Sequence, residues 1–258
     1  MTTLKEPNMK VEMINFTELA LETLLYTKNT RLQGSQSFLD VCSMSEDEKM
    51  NHLKYMKDTI QSSWEFVDYT FEISGVTRAF THQLVRTRTA SFAQESQRTI
   101  DASEHEVINT CDNHSRAYTL FASESMINYK NLLDMGVPVQ DARGLLPTNI
   151  STSIIVKLNL RTIHDMGLLR LCTRAQGEYQ RAFRLIKEAV VELHPWAEQF
   201  IKVHCAWYGS CAFPRYKECP VKWETSDESD LRRKKKFENK WKVVEHEANP
   251  VAKGGMTQ

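Results

Sequence analysis

The polar segment from Gln83 to Arg98 contains the side chains of this chain best suited to binding an anion. Arg86, Arg88 and Arg98 alternate there with hydroxyl and amide side chains, and no apolar run interrupts them. A guanidinium group donates paired hydrogen bonds whose geometry matches phosphate oxygens or carbonyl edges. Because charged side chains are mostly exposed, a solvated surface loop is the alternative interpretation.

Four more arginines with polar neighbours follow in the second half of the chain. Arg143 lies in the sequence Asp-Ala-Arg-Gly-Leu-Leu-Pro, Arg161 follows Asn-Leu, and Leu-Cys-Thr separates Arg170 from Arg174. Arg170 and Arg174 are four residues apart and are predicted to share one helix face, which Arg161 does not quite share. Taken singly, each arginine is typical of a solvated surface.

Hydrophobic periodicity predicts the helices that position these side chains. Ser45 and Glu48 form a capping-box pattern at the start of one of them, and Gly136 is a stop signal for another. The predicted helices cover residues 19–26, 45–60, 76–85, 115–135, 138–146, 161–173 and 175–193, with one more ending near residue 205.

Two strands are predicted among these helices. Glu65 to Ile73 alternates apolar with polar side chains, as a half-buried strand does, and Ser74-Gly75 predicts a turn after it. Ser151 to Leu158 is rich in β-branched residues and predicts a strand or the lead into the next helix. The arginine-rich segment therefore follows a helix that ends near Val85, where unpaired backbone carbonyls favour cations.

Bulk composition predicts one main domain. A chain of 258 residues that is 41% hydrophobic can bury one substantial core. Lys plus Arg and Asp plus Glu both number 33, which argues against a dedicated nucleic-acid-binding coat. The polar Met1 to Pro7 lacks a signal-peptide pattern, and the apolar runs are too short for a membrane span. We therefore expect a cytoplasmic protein with no membrane partner.

The cysteines are expected to be reduced thiols rather than metal ligands. Six cysteines are spread through the chain, and His204, Cys205, Cys211 and Cys219 lie close together. The gaps of five and seven residues between these three cysteines fit no compact pairwise zinc pattern. Zinc is the alternative, and the prediction is that no metal binds.

Beyond Pro220 the composition shifts to charged residues. Asp227, Glu228 and Asp230 precede the basic run of residues 232–236. This composition predicts a solvated, partly disordered extension over residues 221–258, following a main domain over residues 1–220. A nucleic-acid-binding tail is the alternative interpretation.

The arginine-rich segment resembles the signature of flavin-dependent thymidylate synthases. That pattern is Gln, then Arg-His-Arg, seven residues, Ser, any residue and Arg; here Gln83 precedes Arg86-Thr87-Arg88, with Ser96 and Arg98 following. Ala90-Ser91-Phe92 also fits the family. The resemblance covers roughly Thr17 to Trp196, because further motifs occur in the family's order. These are the strand from Trp64 to Phe71, Ala142 to Pro147, Asn159-Leu160-Arg161, Leu169-Arg170, and Ala175-Gln176 with Glu178.

The chain departs from the family's pattern at several positions. Thr87 replaces the central His, Ala93-Gln94 replaces Asn-Glu, Asp165 replaces a common Asn, and Phe66 and Arg174 each replace a His. We hypothesise that the cationic or hydrogen-bonding group lost at Thr87 is compensated by the one gained at Arg174. A register slip of one residue would let Glu95 supply the carboxylate that Gln94 lacks.

The resemblance implies an enzyme that converts dUMP to dTMP. Methylenetetrahydrofolate would donate the carbon, FAD would carry the reducing equivalents, and NADPH would reduce the flavin. The implied fold is α/β of the α+β type, with a central mixed sheet flanked by helices, a helix-rich second half, and homotetrameric assembly with active sites between subunits. The alternatives are a flavin-dependent pyrimidine nucleotide hydroxymethylase and a non-catalytic nucleotide- or RNA-binding protein.

The resemblance also implies roles for individual residues. Arg170 and Ser96 are the implied catalytic residues, and Ser96 is a hydrogen-bonding ligand rather than a nucleophile, since no base partner is evident. No Gly-x-Gly-x-x-Gly fingerprint is present, so an ordinary Rossmann site is not expected. The implied dUMP ligands are Gln83, Gln94, Ser96, Arg98, Arg143 and Arg170. The implied FAD ligands are Arg86, Thr87, Arg88, Asn159, Arg161, Asp165, Leu169 and Arg174.

Overall fold

A five-stranded sheet lies at the centre of the computed structural model, which describes residues 3–6, 9–31, 36–110, 115–213 and 219. The strand order is β1-β2-β3-β5-β4. Helices pack on the sheet and dominate the second half, which confirms the predicted fold class. The strands are β1 (Thr3–Glu6), β2 (Met9–Phe16), β3 (Asp68–Thr77), β4 (Ser91–Gln94) and β5 (Ser151–Asn159).

The sheet is antiparallel rather than mixed in the described part of the chain. β1 pairs with β2, β2 with β3, and β5 with both β3 and β4, in each case antiparallel. β3 and β4 run in the same direction, but β5 lies between them and opposes both. Within the described residues β1, β3 and β4 share one direction and β2 and β5 the other, and no two neighbouring strands are parallel.

The predicted alternation of β3 is confirmed, but its boundaries differ from the prediction. Tyr69, Phe71 and Ile73 are fully buried, while residues 61–66 form 3-10 turns instead of the start of the strand. The strand also continues through Ser74-Gly75, where a turn was predicted. Gly75 has a φ of 66° at the register shift between Ile73 and Val76, so the glycine permits a bulge within the strand.

Nine α-helices lie in the described residues, and most were predicted. The Ser45 capping box is present, with Ser45 and Glu48 bonded reciprocally, and Gly136 ends its helix with a φ of 84°. The helix predicted at 76–85 is shorter, because Val76 and Thr77 belong to β3. The helices are α1 (Ala20–Tyr26), α2 (Phe38–Cys42), α3 (Glu46–Thr59), α4 (Arg78–Leu84), α5 (Ser115–Asp134), α6 (Val139–Ala142), α7 (Leu160–Arg170), α8 (Gly177–Leu193) and α9 (His204–Tyr208).

The main core lies between one face of the sheet and helices α1, α3, α7 and α8. The buried stripe of α8 is typical of an amphipathic helix, with Tyr179, Phe183, Ile186 and Val190 facing inward. A second, smaller cluster forms around Tyr129 of α5. No helix among the described residues is both long enough and apolar enough to span a membrane.

Helix α5 is mostly solvent-exposed. Only Ala122 and Tyr129 of its 20 residues are buried. Leu120, Phe121 and Ile127 are 64%, 65% and 60% exposed, which is unusual for three large apolar side chains on one helix.

The structure describes five of the six cysteines but not the charged extension. Within the described residues no disulfide forms, and no three His, Cys, Asp or Glu side chains are grouped as a metal site. Burial raises the pKa of the Cys205 thiol, and the neighbouring thiols of Cys211 and Cys172 add to that rise. Cys111 and the charged extension of residues 221–258 lie outside the described residues.

Candidate functional site

The predicted position of the arginine-rich segment at a helix end is confirmed. Helix α4 ends at Leu84, and the backbone then turns twice, with Thr87 N donating to Leu84 O at 3.0 Å and Ala90 N donating to Thr87 O at 3.2 Å. Arg86 and Arg88 lie in these turns with exposed side chains. The turns therefore present two guanidinium groups to solvent from a fixed backbone.

The segment is anchored at its far end by strand β4. Phe92 pairs with Val156 at the edge of the sheet, and Ala90 and Phe92 pack against the main core. Thr89 is joined to helix α7, because Thr162 Oγ1 lies 2.9 Å from Thr89 Oγ1. The segment is thus not a freely solvated loop but a tethered one.

Gln94 and Glu95 bond to different parts of the structure at the end of β4. Gln94 pairs with Ile154, and its side-chain amide donates to Thr81 Oγ1 on α4 at 2.5 Å. The Glu95 carboxylate instead accepts from Ser153 N at 3.2 Å and lies 2.6 Å from His105 Nε2. The Glu95 carboxylate is thus engaged with His105 and Ser153, and its substitution for the carboxylate missing at Gln94 stays a prediction.

Helix α7 begins and ends with residues that the motifs single out. Asn159 is its N-cap, and its side-chain oxygen accepts from Thr162 N at 2.8 Å. Arg161 donates to Glu65 Oε1 at 2.6 Å in the first turn, and Arg170 is the last residue. At a rise of about 1.5 Å per residue, Arg161 and Arg170 are separated by roughly 14 Å along the helix.

The two arginines at the end of α7 do not share a helix face, contrary to the prediction. The helix ends at Arg170, and Ala175 N donates to Cys172 O in a turn that leads to α8. The Arg170 guanidinium carbon lies 4.1 Å from the ring centre of Tyr179, and that of Arg174 lies 4.1 Å from the ring centre of Phe213. Each arginine thus lies on its own aromatic ring.

A buried carboxylate joins α4 to α8. Glu178, in the first turn of α8 and 3% exposed, accepts from Thr77 N at 2.7 Å and from Thr77 Oγ1 at 2.6 Å. Thr77 is itself the N-cap of α4, because its hydroxyl accepts from Phe80 N at 3.0 Å. At the other end of α4, Gln83 donates to Gln176 at 2.5 Å. Both ends of α4 are therefore fixed to the beginning of α8.

Arg78 is a cation near the predicted phosphate ligands that the motifs did not identify. Its Nη1 donates to Glu95 O at 2.8 Å, whereas its Nε is buried without a hydrogen-bond partner. Burial lowers the pKa of Arg78 and the neighbouring Arg143 charge lowers it further, against the attraction of Glu95. The only sequence signal is a cationic residue at the start of the helix that leads to Gln83.

The structure distributes most of the predicted site residues over four neighbourhoods. One contains Gln83, Thr87 and Arg170 near the start of α8, and another contains Arg143 beside Arg78. Arg161 lies with Glu65 at the opposite end of α7. Ser96 and Arg98 are exposed just after β4, with Arg98 N donating to Ser96 Oγ at 3.2 Å. Asp165 and Leu169 are exposed on α7.

Comparison with known proteins identifies the family. A sequence model described as thymidylate synthase complementing protein matches residues 15–196. The chain belongs to this family. The matched segment begins near the end of β2 and extends just beyond α8, so it contains every candidate site residue named above.

Individual relatives in the family agree with this assignment. The flavin-dependent thymidylate synthase of Pyrococcus furiosus is 32% identical over 219 residues, covering 79% of this chain and 89% of the relative. The enzyme of the same name from Geobacter sulfurreducens is 40% identical over 139 residues, covering 49% and 60%. That from Sulfurisphaera tokodaii is 36% identical over 142 residues, covering 53% and 55%.

The hydrogen bonds between Glu178 and Thr77, here called the Glu178 clamp, give a first prediction about stability. Glu178→Gln keeps the size of the side chain but removes its charge, so the bonds with Thr77 N and Thr77 Oγ1 become weaker neutral ones. We expect the free energy of unfolding in urea, at one fixed protein concentration, to fall by about 2 kcal/mol. The matched control Glu188→Gln changes an exposed residue of the same helix and should shift it by less than about 0.5 kcal/mol. Equal losses in both variants would contradict the clamp.

Proposed function

We propose that this enzyme makes dTMP from dUMP, with methylenetetrahydrofolate as carbon donor, FAD as its flavin and NADPH as the reductant of that flavin. The observation that supports it most strongly is the tethered arginine-rich segment between α4 and β4, within a chain whose relatives are named flavin-dependent thymidylate synthases. This segment offers guanidinium groups to an anionic ligand from a backbone that is held in place. The free thiols of the described cysteines are consistent with the cytoplasm as the proposed compartment.

The proposed dUMP site binds a dianionic phosphate and a planar uracil. Arg98 and Arg143 have exposed guanidinium groups that suit bidentate phosphate contacts, and Arg78 adds positive charge beside Arg143. Arg170 is the proposed catalytic residue against the uracil edge, where its charge would stabilise negative charge as the ring is activated. Ser96 is a hydrogen-bonding ligand in this proposal, together with Gln83 and Gln94.

Two of these residues are positioned by hydrogen bonds that leave their amides able to bind a nucleotide as well. The Gln83 and Gln94 side chains are both engaged, with Gln176 and Thr81 respectively. Each amide carries two N–H donors and an oxygen with two lone pairs, so it retains capacity for a nucleotide while keeping that bond. The two amides are therefore held in place before the ligand arrives.

The proposed flavin site runs along α7 and the turns after α4. Cationic and polar side chains there fit the pyrophosphate and polar edges of FAD, which supplies the reducing equivalents of the reaction when bound. Arg161 would share its guanidinium group between Glu65 and the flavin. Asn159 caps α7 with its side-chain oxygen, so its amide N–H groups remain as donors for the flavin. The proposed FAD ligands are Arg86, Thr87, Arg88, Asn159, Arg161, Asp165, Leu169 and Arg174.

We further propose a homotetramer in which active sites form between subunits. The exposed apolar side chains of α5 (Leu120, Phe121 and Ile127) support an association surface on that helix. The exposure of Arg86, Arg88 and Arg98 in the single chain also suits a site that a neighbouring subunit completes.

A second prediction concerns the reaction itself. Protein purified with FAD should release tritium from carbon 5 of labelled dUMP only when methylenetetrahydrofolate and NADPH are both present. Omitting each component in turn is the control, because a contaminating folate-only activity would not need the flavin. The enzyme proposal fails if flavin-loaded protein neither binds dUMP nor oxidises its reduced flavin in the presence of dUMP and the folate.

A third prediction concerns the phosphate contact of Arg98. Arg98→Lys keeps the charge but loses the bidentate fork, so dUMP affinity in calorimetry should fall by about 2 kcal/mol, or roughly thirtyfold. Arg184→Lys is the matched control, since Arg184 is exposed on α8 and has no proposed role. Equal dUMP affinities for wild type and Arg98→Lys would remove Arg98 from the site.

A fourth prediction concerns the proposed division into residues 1–220 and 221–258. Truncation after Pro220 should leave FAD and dUMP binding intact, because the matched segment ends at residue 196 and the contact of Thr173 Oγ1 with Cys219 Sγ is retained. Weak binding of polyanions that is sensitive to salt should disappear with the basic run. A folded truncated protein that no longer binds flavin would show instead that the extension helps to build the site.

A further inference from the structure

A buried tyrosine next to Arg170 has a hydroxyl group that makes no hydrogen bond of good geometry. Tyr179 lies in the first turn of α8 and is 0% exposed, and its phenolic oxygen has only weak contacts with its polar neighbours. Buried hydroxyl groups are nearly always paired, because an unpaired one loses its bond to water and gains nothing in return. This exception occurs within the group of residues proposed to bind the nucleotide.

The ring of Tyr179 is held between two helices and supports Arg170. Phe80 of α4 packs edge-on at 5.0 Å between ring centres and 82° between ring planes, and the Arg170 guanidinium carbon lies 4.1 Å from the ring centre. A guanidinium group stacked on an aromatic face keeps its plane, and its N–H donors point outward from the edge. The ring therefore determines the direction in which Arg170 can donate.

The Tyr179 hydroxyl group is next to the tethered segment. Burial raises the pKa of the phenol, and the Arg170 charge, followed by weak hydrogen-bonding contacts with the Thr87 and Arg170 side chains, counters part of that rise. A ligand cannot reach a hydroxyl that is closed off from solvent, so a partner has to come from one of these two neighbours. Thr87 is also the residue that replaces the larger histidine of the family's signature.

We infer that Tyr179 is a positioning residue that holds the Arg170 guanidinium flat and hydrogen-bonds Thr87 when the nucleotide binds, thereby linking the tethered segment to Arg170. This inference rests on the proposed function, in which Arg170 contacts the uracil. The ring supports Arg170 and the hydroxyl bonds Thr87. Tyr179→Leu removes both the ring and the hydroxyl, whereas Tyr179→Phe removes the hydroxyl alone. Tyr69→Phe is the matched control, because Tyr69 is an equally buried tyrosine on β3 whose hydroxyl bonds His194 at 2.9 Å.

The first experiment tests the support of Arg170 without any ligand. Arginine-specific modification by phenylglyoxal is followed by peptide mass spectrometry, with the exposed Arg184 as internal reference. Removal of the ring in Tyr179→Leu should speed Arg170 modification by about tenfold, whereas Tyr179→Phe and Tyr69→Phe should leave the rate unchanged. An unchanged rate in a folded Tyr179→Leu protein, or a faster rate in Tyr179→Phe, would overturn the inference whatever the enzyme's substrate is.

The second experiment measures turnover of dUMP. Tyr179→Leu should lower kcat about tenfold with a smaller change in KM, because a misdirected Arg170 affects the transition state more than the bound ground state. Tyr179→Phe and Thr87→Val should each lower kcat about fivefold, and their combination should do no more, since both remove the same hydrogen bond. Tyr69→Phe should leave kcat unchanged.

The two experiments distinguish failure of the inference from failure of the proposed function. Two results would overturn the positioning role in an enzyme that turns over dUMP. One is an additive loss of kcat when Tyr179→Phe and Thr87→Val are combined. The other is a normal kcat in Tyr179→Leu even though Arg170 is modified faster. Wild-type protein without dUMP turnover would overturn the proposed function, while protection of Arg170 by the Tyr179 ring would still support the orientation argument. If Tyr179→Leu does not fold, the kcat values of Tyr179→Phe, Thr87→Val and their combination test the inference instead.

Discussion

The hydrogen bonds between Glu178 and Thr77 are the interaction on which the rest of the site depends. The carboxylate lies in the first turn of α8 and accepts bonds from the residue that caps α4, so it lies near the N-termini of two helices, whose dipoles favour a negative charge. Helix α4 leads into the arginine-rich turns, and α8 follows directly on the link from Arg170. A shift of either helix would therefore change the position of Arg86 and Arg88, after α4, relative to Arg170, before α8.

The arginines of the site are held by partners of two different kinds. Arg170 lies on an aromatic ring, which leaves its positive charge available, whereas Arg161 is paired with the carboxylate of Glu65. Arg78 donates to a backbone carbonyl, which is also neutral. Neutral partners fix a guanidinium group without cancelling the charge that an anionic ligand requires. Arg161 lies at the far end of α7 and would share its guanidinium group between Glu65 and the proposed flavin.

Much of the fold was predictable where burial imposes a period on the sequence. The buried alternation of Tyr69, Phe71 and Ile73 identified β3, and the capping box at Ser45 identified the start of α3. Strand β4 was not predicted, because four residues in a polar segment carry no clear period and their partner, β5, lies about sixty residues further along the chain. The end of α7 at Arg170 was also missed, since residues 171–176 contain neither glycine nor proline to mark it.

The candidate site was predictable as a set of residues but not as a set of contacts. Motif order placed Gln83, Arg98 and Arg143 in one list, yet the cation beside Arg143 is Arg78, which belongs to none of the motifs quoted for the family. Tyr179 likewise follows the motif residues without being one of them. Both are explained by packing between segments that are distant in the chain, which spacing along the sequence does not encode.

The departures from the family's pattern exchange charges more than they remove them. Gln94 lacks a carboxylate and Asp165 adds one, while Thr87 and Phe66 each lack an imidazole and Arg174 has a guanidinium group in place of one. Because affinity for an anion follows the summed field of nearby charges, such exchanges can preserve the overall attraction while changing its shape. The local geometry does change: Gln94 bonds Thr81, and the smaller Thr87 lies beside the Tyr179 hydroxyl group. The effect of these substitutions is therefore expected on the orientation of bound groups rather than on attraction alone.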